Sequence, residues 1–385
     1  AVGICGPIVT LLSSFGTLVG IGGSIWLSMC LGQKNEKRAS QILYNSFVML
    51  VVLSICLTLG FILLKHNLIY WFGGSDALYP YANTYLTIYT LGTFFALMSI
   101  GLNYFITGQG YATIAMLSVC IGAVTNIIFD FILIRTLKIG VAGAAIGTVV
   151  AQFLSCMFVL CFLRFKSKIK LHKEELSIEK MKRIVKLGFS PFLIIASDSI
   201  ILIVMNMMLQ KYGGDMGDIY ISAITVAQSY FLLITGPLLG ISSGTQPIYA
   251  YHFGAQNLKK IKEAFKIVIS FAFLFCLVMF IISMCYSNVF VAMFTNDAMT
   301  MPIADRAIKI FCLGILMMSI QYVLVDGITG LSNVKLSLFL SLNRKMMYLG
   351  CTCLLPAFLG VSNIFYAQPT ADIYASIVTI ICFIK

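Results

Sequence analysis

The chain repeats itself at an offset of 222 residues. Gly32, Asn35 and Lys37 lie over Gly254, Asn257 and Lys259, Ile106-Thr107-Gly108 over Ile328-Thr329-Gly330, and Thr148 over Thr370. Residues 1–5 lie over 223–227 in the same register. An offset held across separated blocks without net insertion marks a duplicated unit of about 220 residues, so the fold must be two copies of one arrangement. The second copy carries one more hydrophobic segment, Gly188 to Gln210, ahead of the point equivalent to residue 1. The first copy is therefore expected to lack its opening segment.

What is duplicated follows from polarity. Only 10% of residues are charged and 60% are hydrophobic, with a mean hydropathy of +0.98, whereas about a quarter of a soluble domain is charged. Eleven apolar segments run at roughly 1–31, 40–64, 80–107, 111–135, 139–163, 189–210, 219–250, 261–286, 304–329, 335–358 and 364–384. At 1.5 Å per residue each is long enough to cross a hydrocarbon core of about 30 Å. The runs are continuously apolar and do not alternate with a period of two, which predicts helices and not barrel strands. Residue 1 falls inside such a run with no basic stretch before it, so no signal peptide is read.

The net charge of +12 raises the question of nucleic acid, and its placement answers it. Lys34, Lys37 and Arg38 follow the first segment, Lys259, Lys260 and Lys262 follow the seventh, and nine Lys or Arg residues lie between Arg164 and Lys186. These loops alternate with stretches carrying Asp76, Asp215, Asp218, Asp297 and Asp305. By the positive-inside rule the basic set is cytoplasmic, so the charge sets orientation, with lipid as its neighbour and no nucleic-acid partner expected. Equivalent loops in the two copies are both basic and six helices apart, which predicts parallel repeats.

Residues 164–190 form the one long polar stretch and fall at the junction of the copies. This predicts a first lobe over 1–163, a cytoplasmic basic linker over 164–188 and a second lobe over 189–385. Leu176 to Val185 mixes apolar and basic residues at helical spacing, as a helix lying on the inner membrane face or a solvated linker helix would. Gly6-Pro7 and Gly236-Pro237 are expected to interrupt equivalent helices.

No enzyme is predicted. Gly-x-Ser-x-Gly, His-Glu-x-x-His and P-loop patterns are absent, and Thr107-Gly108-Gln109-Gly110 reads as a loop. Twelve scattered Cys and three isolated His give no metal-ligand spacing, so no metal site is expected.

An ionised carboxylate in the hydrocarbon region costs roughly 2.5–3.5 kcal/mol on the insertion scale, so each one is a functional candidate. Asp130 has Asn126 one turn away on the same helix face. Thr148, on the returning helix, lies at about the depth of Asn126, so the three can meet in the outer half of the first lobe. Such a group suits proton exchange or a hard cation held by oxygens; solvation of Asp130 at the outer interface is the alternative. Asp198, at the middle of the sixth segment, is expected to face a cavity or pair with a polar neighbour. Asp326, four residues before Gly330, reads as an interface residue.

Several of these stretches resemble one family. Gly20-Ile21-Gly22-Gly23-Ser24 with Gly32-Gln33-Lys34-Asn35, Asn126-Ile127-Ile128-Phe129-Asp130, Gly140 to Ala145, and Gly244-Thr245-Gln246-Pro247-Ile248 with Gly254-Ala255-Gln256-Asn257 are similar to the multidrug and toxic compound extrusion (MATE) family, in its bacterial branch. The resemblance implies an all-α membrane protein of two six-helix lobes around a central cavity, here five plus six because the first family helix is missing. It implies export of amphipathic, often cationic compounds by a secondary antiporter in the bacterial cytoplasmic membrane, with H+ or Na+ as the coupling ion and no other cofactor. A monomer is expected. Carried over by position, the first-lobe ion site uses Asn126, Asp130 and Thr148, together with an aspartate on the missing helix. Phe131 departs from the proline usual after the aspartate, and His252 from the usual asparagine.

Two other readings compete. A flippase for lipid-linked oligosaccharides shares the two-lobe plan but needs Arg or Lys in its cavity for pyrophosphate, whereas the basic residues here are read as lying in loops. A non-transporting remnant is the second, since a five-helix lobe without the partner carboxylate is expected to leave Asp130 uncoupled.

Overall fold

The computed structural model describes residues 2–71, 79–295 and 297–384. Among the described residues there are thirteen α-helices and no strand. They are α1 (Val2–Gly32), α2 (Glu36–Trp71), α3 (Tyr79–Leu91), α4 (Thr93–Gly108), α5 (Ala112–Asp130), α6 (Val141–Cys161), α7 (Ile178–Gly213), α8 (Gly217–Gly254), α9 (Leu258–Phe294), α10 (Thr300–Cys312), α11 (Ile315–Gly330), α12 (Val334–Leu359) and α13 (Ala367–Ile384). All eleven predicted segments are helical. Among the described residues six helices are long and apolar enough to cross a membrane, and eight spans result when α3 with α4 and α10 with α11 each count as one bent span. The segments at 189–210, 335–358 and 364–384 are helical but do not pass that test; α12 carries Arg344 and Lys345 near its middle.

The repeat is reproduced nearly to the residue. The starts of α2, α4 and α5 map onto those of α9, α11 and α12 at the same offset, and the ends of α1 and α4 onto those of α8 and α11. The bent spans break by 55° and 49° at equivalent points. Left-handed backbone recurs at Lys34 and Gln256 (φ 59° and 55°) and at Gly110 and Ser332 (φ 90° and 63°). Even the caps match, with Asn35 accepting from the Arg38 amide at 3.0 Å and Asn257 from the Lys260 amide at 3.1 Å. Each cap satisfies a backbone donor that a helix start leaves unpaired.

Two compact units divide the chain. The first comprises Ala1–Ala196 with Ala250–Gln256, and the second Ser197–Tyr249 with Asn257–Lys385. The boundary between these units falls inside α7, between Ala196 and Ser197.

In the first unit α1 packs along α4, and α5 along α6. Small residues set the closest approaches. A side chain on Gly32 would strike the Tyr251 carbonyl, and one on Gly254 the Met29 carbonyl, so the ends of α1 and α8 cross at a distance that only glycine permits. In the second unit a buried core runs from Met205 and Leu209 through Tyr230 and Phe311 to Phe365, with rings stacked at Tyr249 and Phe265 (centroids 4.3 Å apart).

Three local expectations are corrected. The amphipathic stretch at 176–185 is not a separate surface helix, because α7 begins at Ile178 and continues without a break into the sixth segment. Its start is anchored by Asn45, which is buried, donates to the Glu175 carbonyl at 2.9 Å and accepts from the Ser177 amide at 2.9 Å. Gln109 makes the same two-way bond with the Ile169 backbone. Lys168 meets Glu36 at 2.9 Å, and the carboxylate holds its ammonium above the usual lysine range. Second, proline does not interrupt α8, which runs through Pro237 and Pro247 as one helix. Third, Asp305 lies within α10, accepting from Ser287 at 2.5 Å and Lys309 at 2.8 Å. Asp76 lies outside the described residues.

Candidate functional site

The first unit brings Asn126, Asp130 and Thr148 to one place. Residues four apart share a helix face, so Asn126 and Asp130 both turn from α5 toward α6. The Asn126 amide donates to the Thr148 hydroxyl at 3.4 Å, and that hydroxyl donates to the Ala144 carbonyl at 2.9 Å. Asp130 fits beside them because α6 has no side chain at Gly147, where an added Cβ would lie 2.5 Å from the Asp130 carboxylate oxygen Oδ1. Tyr85, buried on α3, also reaches the Thr148 side chain.

This carboxylate is incompletely satisfied. Oδ1 of Asp130 is buried and has no hydrogen-bond donor. Buried oxygens without donors are rare and call for an explanation, and a proton, a cation or water supplies one. Past Asp130 the helix widens into π-helical turns over Phe131–Thr136. Such widenings concentrate at functional positions, and this one begins at the residue where the family's usual proline is replaced.

Acids in the second unit differ in kind. Asp372 is fully buried on α13, with Oδ1 bound to Arg344 at 2.6 Å and Oδ2 accepting from Gln368 at 2.8 Å. Arg344 also donates to the Tyr322 hydroxyl at 3.0 Å and lies 5.0 Å from that ring's centroid. The neighbouring Lys345, buried, pairs with Asp198 of α7, whose side chain is 59% exposed. Two cations and two carboxylates thus form a neutral set. Asp198 therefore pairs with a polar neighbour.

The reading that the basic residues keep to loops is corrected here. Arg344 and Lys345 sit in the middle of a predicted span, and their paired carboxylates make that burial tolerable. Asp372, Arg344 and Lys345 were missed because the apolar segments holding them mask single charges. The cost of a charge at mid-membrane was signal enough to find them.

Asp326 is more than an interface residue, since its carboxylate accepts from Ser242 and, at 2.8 Å, from Gln246. Gln246 is the glutamine of the Gln-Pro-Ile stretch. Its equivalent in the first copy, Ser24, donates to the carbonyl of Tyr104, the equivalent of Asp326, at 2.8 Å. The repeat therefore preserves a contact while changing its chemistry.

Duplicated bent spans, buried intramembrane charges and an unpaired carboxylate between two helices define a polytopic membrane protein built as a transporter is built. The MatE family model matches the chain over residues 1–132 and again over 195–345, and the chain belongs to that family. The two matches fall one on each copy of the repeat. It is an integral, multi-pass protein of the cell membrane.

Among curated relatives, the multidrug export protein MepA of Staphylococcus haemolyticus is 24% identical over 97% of this chain and 82% of its own length. MepA of Staphylococcus saprophyticus is 26% identical over 84% and 71%. Both relatives are multidrug export proteins. Among solved structures, an outward-facing multidrug resistance MATE family transporter of the MOP superfamily superposes with a TM-score of 0.93 at 22% identity, covering 99% of this chain and 86% of that one. A MOP superfamily transporter from Pyrococcus furiosus, whose binding pocket of reverse polarity suggests a different function, does so with a TM-score of 0.93 at 21% identity over the same shares. One fold thus carries pockets of opposite polarity, and the fold alone does not name the substrate.

Proposed function

We propose that this protein exports amphipathic, often cationic organic compounds in exchange for H+ or Na+, by alternating access, with Asn126, Asp130 and Thr148 as the ion-coupling group. The observation that carries the reading is the contrast between carboxylates. Asp372, Asp326 and Asp198 each have partners in place, whereas Asp130 keeps a buried oxygen unmatched. A coupling residue must bind and release its ion in turn, and a carboxylate without a resident counter-ion can do so. The Asn126 carbonyl oxygen and the Thr148 hydroxyl supply the neutral oxygens that a dehydrated cation needs. The multidrug export role of the MepA relatives supports the substrate class.

The flippase reading weakens on the charges themselves. Arg344 and Lys345 are inside a span as it requires, but each is neutralised by its own aspartate and neither is free to hold pyrophosphate.

The test is transport in proteoliposomes holding the full-length protein, with a fluorescent lipophilic cation as cargo. Imposing a proton or a sodium gradient is expected to drive its movement against its own gradient, and dissipating that ion gradient to stop it. Movement insensitive to both gradients contradicts ion-coupled exchange.

A further inference from the structure

Two guanidinium groups converge on one indole in the first unit. The guanidinium carbon of Arg183 on α7 lies 4.5 Å from the centroid of the Trp26 ring, and that of Arg38 on α2 lies 5.3 Å from it. Helix packing brings them there. An added Cβ on Gly22 of α1 would stand 2.2 Å from the Ile184 carbonyl oxygen, so α7 lies directly on α1 one turn before Trp26. Arg38 arrives from the short α1–α2 connection, where the Asn35 side chain accepts from its backbone amide at 3.0 Å. The indole is buried, whereas both arginines are exposed. A cation held by a ring face spends none of its N–H donors there, so both remain open to an acceptor.

The basic side chains around them are already engaged. Lys168 pairs with Glu36 at 2.9 Å, Lys180 donates to Gln41 at 2.7 Å and Arg164 to the Leu171 carbonyl at 2.8 Å. Among the described residues neither Arg38 nor Arg183 has a carboxylate partner, although Glu179 lies one turn before Arg183 on α7. Two like charges held against one ring repel each other, and an anion between them removes that cost. Guanidinium is the side-chain group best shaped for phosphate, which it grips through two parallel N–H bonds.

Depth decides what carries the phosphate. Trp26 lies six residues before the end of α1, about 9 Å at 1.5 Å per residue, and α1 ends at the face that the charge pattern assigns to the cytoplasm. That is the level of the lipid headgroups, where tryptophan is enriched and arginine reaches outward. Deeper on the same two helices, Val52, Ile55 and Leu59 of α2 and Phe189 of α7 are exposed apolar side chains that acyl chains can cover. A soluble anion has no use for such surface.

We infer that Arg38, Arg183 and Trp26 form a binding site for the phosphate of an anionic phospholipid of the cytoplasmic leaflet. The two guanidiniums clasp the phosphodiester from α2 and α7, and the indole holds them side by side. Bound lipid thereby ties together the cytoplasmic ends of α1, α2 and α7. None of these residues belongs to the Asn126, Asp130 and Thr148 group.

Native mass spectrometry of the full-length protein in detergent, with phosphatidylglycerol or phosphatidylcholine added, reads the site. One phosphatidylglycerol should stay bound at collision energies that strip phosphatidylcholine. Arg38→Gln with Arg183→Gln should retain at least fivefold less of it. Lys182→Gln with Lys186→Gln removes the same charge from exposed positions off the ring and should retain it fully. Millimolar inorganic phosphate should not displace the lipid. As a measurement that needs no variant to fold, a phosphatidylglycerol with a photoreactive headgroup should cross-link the unaltered protein within a few residues of Arg38 and Arg183, located by peptide mass spectrometry. Equal loss from both double variants makes the effect one of general basic charge and overturns the site. Full retention without the two arginines, or cross-links confined to other segments, does the same. Displacement by inorganic phosphate would make it a soluble-anion site and overturn the lipid assignment.

Discussion

Oδ1 of Asp130 lies 2.5 Å from where a Cβ on Gly147 of the neighbouring helix would stand, buried and without a hydrogen-bond donor. The absent side chain at Gly147 is what leaves the carboxylate room against α6.

Gly147→Ala should therefore displace the carboxylate while leaving every ligand in place chemically. A Cβ 2.5 Å from Oδ1 is closer than real contacts allow, so the Asp130 side chain must change rotamer. The expected result is at least a tenfold loss of coupling-ion affinity with unchanged expression and membrane insertion, measured by ion-dependent substrate exchange against quantified protein. Unchanged ion dependence would show that the carboxylate can work from another position.

Arg344 and Asp372 are predicted to be structural. Removing one partner of a buried pair leaves the other uncompensated, at a cost of about 3–5 kcal/mol. Arg344→Met alone and Asp372→Leu alone should thus lower thermal stability in detergent sharply. The double variant should recover most of the loss, because two apolar side chains leave no orphan charge. If the double variant is as unstable as the sum of the singles, the pair is not an isolated unit and its coupling to Lys345 and Asp198 dominates.

The start of α10 has its own pH dependence. Asp297 accepts from both the Thr300 hydroxyl (2.5 Å) and the Thr300 amide (2.9 Å), and these bonds hold its carboxyl below the usual carboxylate range. A depressed folded-state value means that the stabilisation is complete above the unfolded-state pKa, about 3.9, and is lost as pH falls through the folded-state value. Thr300→Val removes the hydroxyl bond and should move this acid transition upward, toward the ordinary value. Proteolytic protection of the α9–α10 connection, followed against pH, reads it. No difference between the two proteins at any pH would show that the hydroxyl bond does not hold the turn.

Much of the architecture was legible because duplication leaves marks that apolar drift does not erase. Glycine, asparagine and basic residues recur at helix ends where backbone geometry and capping demand them, as Asn35 and Asn257 show. The convergence of Asn126 with Thr148 was legible from spacing and depth alone. Other features were not. Hydropathy rises only near residue 189, yet α7 begins at Ile178, directly after Ser177, whose hydroxyl accepts from the Lys180 amide at 3.4 Å; a helix begins at its cap and not where it becomes apolar. Pro237 reads as a break in the sequence, but α8 continues through it as one helix. Arg344, Lys345 and Asp372 are visible as mid-segment charges, but their pairing depends on which helices meet, which no window along one segment reveals.

Asp130→Asn tests the central claim most directly. Asparagine preserves the shape and inserts equally well, but it carries no charge and cannot take up and give back a proton. Gradient-driven efflux of a lipophilic cation from proteoliposomes should disappear in this variant under both proton and sodium gradients, while substrate binding in detergent persists. Efflux that continues at the unaltered rate under either gradient contradicts the assignment and moves ion coupling away from the first unit.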